Sequence, residues 1–346
     1  MNNLANKIDQ NEDKVGEATL AALWQQGVEF LGTKYAIMGG AMTWVSERNL
    51  VAAVSNAGGF GVIACGSMTT ELLDAEIKAT QAMTQKPFGV NLITMHPDLM
   101  ELIDVCIGNK VSHIVLAGGL PSAKSISKIK TANIKVIAFS PAYILAKKLI
   151  KNGVDALVIE GNEAGGHIGP VSTNVLAQEI LPKVQEVPVF VAGGIGRGEA
   201  IVNYLRMGAA GVQLGTRFVC AHECQAHPAF KRAFIKANAR DAGTSTQIDP
   251  RFPVIPVRAL ANNATREFMD YQTKMITKVN DGELGQKEAQ LQIEHFWAGA
   301  LRKAVVDGDI ENGSLMAGQS VGMVTTEQST QDIIDELLSQ AVDFLN

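Results

Sequence analysis

The sequence is poor in cysteine. Four thiols in 346 residues cannot build a disulfide framework, and small buried core positions are their ordinary use. Long apolar runs are also missing: Val189 to Ala192 is typical, whereas a membrane-spanning helix needs about 20 residues. Met1 to Lys14 is rich in Asn, Asp and Glu and lacks the basic-then-apolar order of a secretory signal, so a cytoplasmic location is expected rather than export. Neither sign of charge dominates. Thirty Lys and Arg stand against 35 Asp and Glu, a net charge of −5, which provides no general field for nucleic acid or an anionic membrane. An anionic ligand has to be held locally.

Glycine, by contrast, is plentiful: 33 residues, clustered where short β-branched runs end and the chain turns. The runs are Tyr35–Met38, Phe60–Ala64, Phe88–Ile93, His113–Leu116, Val136–Phe139, Ala156–Ile159, Val189–Val191 and Val212–Leu214. Helical spacing occupies the intervals, as in Asn49–Ala57, Leu72–Met83, Ala142–Lys151 and Glu199–Met207. Continuous apolar strands alternating with helices imply a parallel sheet buried on both faces. Eight such units predict an α/β fold, a (β/α)8 TIM barrel, with a doubly wound open sheet as the alternative.

After Thr216 the texture changes. Residues 223–309 are rich in Lys, Arg, Gln and Asn, with helical stretches over Pro228–Arg240 and Ala259–Val279, and read as a smaller helical lobe beside the barrel mouth. The predicted organisation is therefore an N-terminal extension at 1–30, loosely held over roughly its first 20 residues, a barrel at 31–222, the lobe at 223–309, and a glycine-rich return with a closing amphipathic helix at 310–346.

In such barrels chemistry sits beyond the carboxyl ends of the strands, and a phosphate is often held after strands seven and eight by bare amides. Gly193, Gly194 and Gly196 follow the seventh run, and Gly215 and Thr216 follow the eighth. Together they predict a phosphate cradle, while either alone needs only to permit a tight turn. After the sixth run, Glu160 to Gly169 sets His167 among glycines that let a ligand ring approach, and histidine suits proton transfer near neutral pH.

Three further motifs are ambiguous. Cys220, His222, Cys224 and His227 have soft ligands, yet their spacing fits no familiar zinc finger or ribbon, and no metal is expected. Gly59-Phe60-Gly61-Val62-Ile63-Ala64 fits a dinucleotide fingerprint, but its glycines precede the apolar run instead of joining strand to helix. Lys231, Arg232, Lys236 and Arg240 form either a solvated helix face or a site for pyrophosphate or an acidic carrier.

Taken in order, several blocks resemble an FMN-dependent barrel family that contains nitronate monooxygenases and flavin-dependent enoyl-acyl-carrier-protein reductases. They are Met42-Thr43-Trp44-Val45, Ser55 to Gly59, Pro87 to Asn91, Glu160 to Gly169, Ala192 to Gly194, Gln213 to Phe218, Ala226-His227-Pro228 and Met316 to Ser320. The resemblance covers roughly Tyr35 to Val324. It implies an FMN site made by Met42, Asn91, Glu160, Gly165, Gly166, Gly193, Gly194, Gln213, Leu214, Gly215 and Thr216, with His167 as the catalytic histidine. Glu160, Gly165 to Gly169 and the last two blocks look more like the reductases. The implied activity is NAD(P)H-dependent reduction of a 2-enoyl thioester, free or on an acyl carrier protein. Nitronate oxidation with dioxygen is the alternative, and a non-redox barrel that binds a phosphorylated ligand is the third reading. NADH or NADPH is the expected co-substrate and a homodimer the expected assembly, without nucleic acid or membrane partners.

Overall fold

The computed structural model describes residues 14–66, 68–249 and 255–346. Eight parallel strands form its centre: β1 (Ile37–Gly39), β2 (Gly61–Ala64), β3 (Phe88–Ile93), β4 (His113–Ala117), β5 (Lys135–Phe139), β6 (Ala156–Glu160), β8 (Val189–Ala192) and β9 (Gly211–Leu214). Their order is β1-β9-β8-β6-β5-β4-β3-β2. The remaining gap is bridged in parallel by Met38 and Phe60, where Gly39 N donates to Phe60 O at 2.8 Å. This is the (β/α)8 barrel, and each of the eight predicted runs supplies one of its strands. Short strands buried on both faces leave little freedom for any other closure.

The fingerprint-like glycines serve this packing. A Cβ on Gly61 would fall 2.2 Å from Val51 O, and one on Gly59 would fall 2.9 Å from Ile37 O. The helix Arg48–Asn56 can therefore lie against β1 and β2 only because both positions lack a side chain. At the opposite end from the mouth, His113 is wedged between Phe30 and Phe60. Its Nε2 lies 3.1 Å from Phe30 O and its Nδ1 2.9 Å from Ser112 Oγ. Burial pushes its pKa down to about 4.

Two expectations need correction. Of the loose stretch expected over roughly the first 20 residues, 1–13 lie outside the described residues, but 14–31 are largely helical and Leu20, Trp24 and Leu31 are buried in the barrel core, so from residue 14 the extension is packed. Three apolar side chains at helical spacing give it a docking face. The stretch Ala259–Val279 is not one helix. Val257–Leu260 forms strand β11, and the helix Asn263–Asn280 starts only after Asn262, whose side chain accepts from Thr265 N. The capping box fixes that start, and tertiary pairing overrides the helix propensity of Ala259 and Leu260.

The second sheet positions the site. β11 pairs antiparallel with β10 (Ala242–Thr244) on one side and with β7 (Gly166–His167) on the other. Beyond it, the helices Asn263–Asn280 and Gln286–Val305 enclose a separate core of Val257, Phe268, Met275, Ile293 and Trp297. The helix Pro228–Lys236 buries Phe230 and Phe234 in the barrel core instead. The segment with a core of its own thus begins later than the expected boundary at 223.

Candidate active site

The exits of β8 and β9 lie side by side. After β8, Gly193 and Gly194 take left-handed conformations, φ +97° and +73°, which only glycine adopts without strain. The amide of Gly193 is taken up in the β8–β9 pairing, where Ala192 is in register with Gln213, but those of Gly194, Ile195 and Gly196 donate to no protein acceptor among the described residues, and neither do those of Gly215, Thr216 and Arg217. Buried or half-buried amides left open in two adjacent turns are donors suited to an anion. Thr216 Oγ1 accepts from Gly318 N at 2.9 Å, which leaves its own proton to donate. Leu214 is buried and presents only backbone here, its carbonyl accepting from Gly40 N at 2.8 Å.

Around this cradle stand the other expected residues. A Cβ on Gly215 would come 3.3 Å from Met42 Sδ, so Met42 covers the β9 turn. Gln213 is buried on β9, in register with Met38 of β1 and Ala192 of β8. Asn91 is buried on β3, and its Nδ2 donates to Val115 O at 3.3 Å. That bond orients the amide and leaves Oδ1 as the open acceptor. Glu160 ends β6, and burial pushes its carboxyl up to about 8.

The histidine loop is braced from two sides. Gly166 and His167 form β7, opposite Arg258 and Val257 of β11. Ile168 N donates to Pro256 O at 2.9 Å, and Arg258 Nε donates to Asn162 O at 2.8 Å. On the other side the loop meets the C-terminal return backbone to backbone. A Cβ on Gly165 would fall 2.6 Å from Gly318 N, and one on Gly318 would fall 2.8 Å from Glu163 O. Gly166, at φ +80°, would direct a Cβ to within 3.5 Å of Met316 Sδ. His167 itself is exposed.

The ambiguous segments have structural work. Cys220 and Cys224 are buried, and burial raises their thiols to about 12 and about 11. Glu223 accepts from Thr330 N at 2.9 Å and Thr330 Oγ1 at 2.8 Å, fastening the closing helix Thr330–Leu345. His227 Nδ1 accepts from Ala229 N at 3.1 Å, capping Pro228–Lys236. Among the described residues no three His, Cys, Asp or Glu side chains are grouped to hold a metal. Lys231 is buried and bonds Ala221 O at 2.7 Å, whereas Arg232, Lys236 and Arg240 are exposed. No helix among the described residues is long and apolar enough to cross a membrane. Sequence reading missed Thr173, Arg258 and Gln319, which hold the loops from outside; their partners lie 10 or more residues away, beyond any local pattern.

Comparison with known proteins gives the family. Residues 25–106 and 100–340 match the family model described as nitronate monooxygenase. A (3aS,4S,5R,7aS)-5-hydroxy-7a-methyl-1-oxo-octahydro-1H-indene-4-carboxyl-CoA dehydrogenase of Rhodococcus jostii is 31% identical, covering 91% of this chain and 94% of its own. A probable nitronate monooxygenase of Staphylococcus aureus is 27% identical over 92% of this chain and 98% of its own. Among solved structures, FabK of Thermotoga maritima superposes with a TM-score of 0.81 at 35% identity, covering 91% of this chain and 95% of that one. A nitroalkane oxidase of Streptomyces ansochromogenes gives 0.76 at 25% identity, with coverage of 90% and 97%. With its barrel, its open-amide turns and matches spanning nearly its whole described length, the chain belongs to the nitronate monooxygenase family and is an oxidoreductase.

Proposed function

We propose that this oxidoreductase holds FMN and reduces 2-enoyl thioesters at the expense of NADH or NADPH. The observation that carries the cofactor reading is the double row of open amides at Gly194–Gly196 and Gly215–Arg217, suited to a terminal phosphate. When bound, FMN supplies the capacity to accept and deliver a hydride. On this reading Met42, which lies against the β9 turn, and the backbone of Gly165 and Gly166 would contact its ring. Asn91, Gln213 and Glu160 offer hydrogen bonds to its polar edge. Reduction of the alkene adds a hydride to the β-carbon and a proton to the α-carbon. His167, on β7 beside the lobe, is the residue to move that proton or to stabilise charge on the thioester oxygen.

The thioester class is supported by the relative of 31% identity, a carboxyl-CoA dehydrogenase. Exposed Arg232, Lys236 and Arg240 offer cations for the pyrophosphate of coenzyme A or for an acidic carrier protein. A second reading, oxidation of alkyl nitronates with dioxygen, is favoured by the family model and by the relatives at 27% identity. The test sets NADH or NADPH with crotonyl-CoA or a crotonyl carrier protein, under anaerobic conditions, against propionate 3-nitronate in air. Turnover of a crotonyl thioester supports the proposal; nitronate turnover alone replaces it. A colourless protein that takes up no flavin leaves the third reading, a non-redox phosphate binder.

A further inference from the structure

Thr173, the first residue of the helix Thr173–Ile180, is wedged between the exits of β6 and β8. A Cβ on Gly161 would fall 2.0 Å from Thr173 Oγ1, and one on Gly193 would fall 2.9 Å from the same atom. The hydroxyl lies 3.0 Å from Gly193 O, 3.3 Å from Ala192 O and 2.8 Å from Glu163 Oε2. The same carboxylate oxygen accepts from Thr173 N at 2.8 Å. Glu163 is fixed in turn by its own backbone, since its carbonyl accepts from Gln319 N at 2.9 Å.

A trans peptide points its C=O and N–H in opposite directions. Holding Gly193 O toward Thr173 therefore turns the amide of Gly194 away from it. Holding Ala192 O, which also accepts from Gly161 N at 3.1 Å, turns the amide of Gly193 toward β9, where Ala192 is in register with Gln213. The amide of Gly194 is one of the open donors of the cradle. The hydroxyl carries one proton, shared between the carboxylate and the carbonyls. The N–H of Thr173, held by the carboxylate alone, keeps the hydroxyl in place in either arrangement.

We propose that Glu163 and Thr173 are positioning residues for the anion cradle: the carboxylate anchors Thr173, and Thr173 sets the peptides of Ala192 and Gly193 so that the turn leaves β8 in register and the amide of Gly194 faces the phosphate. This rests on the FMN reading and assigns it a mechanism of preorganisation. Through Gln319 the same carboxylate residue also links the cradle to the return segment that packs against the histidine loop.

The experiment compares dissociation constants for FMN and for riboflavin, which lacks the phosphate, in wild-type protein and four variants. Glu163→Ala and Thr173→Val are expected to shrink the preference for FMN over riboflavin by about 10- to 100-fold, the worth of one or two charge-assisted hydrogen bonds. Glu163→Gln, whose amide oxygen can accept both bonds, and Thr173→Ser are expected to keep it within about threefold of wild type. An unchanged preference in Thr173→Val overturns the proposal. Equal weakening of FMN and riboflavin overturns it too, since that marks general distortion. Should Glu163→Ala not fold, Thr173→Val set against Thr173→Ser decides. A wild-type protein that prefers neither ligand removes the FMN reading itself, an outcome distinct from a wild-type preference that the variants preserve.

Discussion

Gly194→Ala separates a functional glycine from a merely permissive one. At φ +73° the alanine takes a left-handed conformation that costs about 1–2 kcal/mol. Its Cβ would stand 2.9 Å from Glu163 Cβ, where carbon atoms ordinarily meet at about 3.5–4.0 Å. Glu163 must then retreat by about 0.6–1 Å, which stretches its two 2.8 Å bonds to Thr173. Losing one such bond to a charged acceptor is worth about 1.5–3 kcal/mol. The total is about 2.5–5 kcal/mol if the turn keeps its shape, and less if it yields and lets the amides swing away. Either route weakens FMN, by at least about tenfold for each 1.4 kcal/mol expressed in binding. Gly208→Ala is the control, because Gly208 is also left-handed at φ +102° but has no atom within 4 Å of the added methyl. It should lower the melting temperature and leave FMN affinity alone. Fluorescence titration of FMN beside thermal melts reads both quantities. Wild-type affinity in Gly194→Ala, or equal loss in the two variants, refutes the reasoning.

His167→Ala is expected to retain FMN and the fold while slowing the substrate half-reaction by about 10²–10⁴-fold, the range for a positioned acid or base. Reduction by NAD(P)H should be much less affected, and stopped-flow traces showing equal slowing of both would indicate displaced flavin instead. His113 should make the fold acid-sensitive: its pKa falls from 6.5 to about 4 on folding, so the unfolded chain binds the proton first. The stability it contributes is complete above pH 6.5 and is lost as pH falls toward 4, by about 3 kcal/mol at about 1.4 kcal/mol per pH unit. Urea titrations at pH 7, 5.5 and 4.5 should show that slope in wild type and a shallower one in His113→Gln; parallel curves would exclude the histidine. Cys224→Ser should leave turnover within about twofold, and loss of activity with release of a bound metal would reverse the structural reading of that segment.

The barrel is legible in the sequence because each strand is a local event. Runs such as Phe88–Ile93 and Val189–Ala192 are continuous, apolar and closed by a turn, and the pattern that marks them is the pattern that buries them. The lobe is less legible for the converse reason. Ala259 and Leu260 carry helix propensity, and only pairing with Gly243 and Ala242 of β10 makes them a strand. The role of Trp24 is similarly hidden, since nothing near it in the chain announces the barrel core that it joins.

The candidate site divides along the same line. Gly193, Gly194, Gly215 and His167 stand out because a strand end followed by glycine is a signal read over five residues. What orients them is spread across the chain: Thr173 is ten residues from Glu163 and twenty from Gly193, and Gly318 is 102 from Thr216. Glutamate 163 was visible only as one letter of a glycine-rich loop. Its side chain gains meaning from a helix start that folding brings beneath it, and its backbone from a return segment more than 150 residues later. Sequence therefore exposes the groups proposed to meet a ligand, because turns at strand ends mark them. The groups that hold those backbones still use ordinary residues in ordinary conformations, and only the fold identifies them. A ligand survey restricted to the glycine motifs would consequently find the cradle and miss the lever: Thr173→Val, outside every motif named from sequence, is the substitution that tests whether the cradle is preorganised.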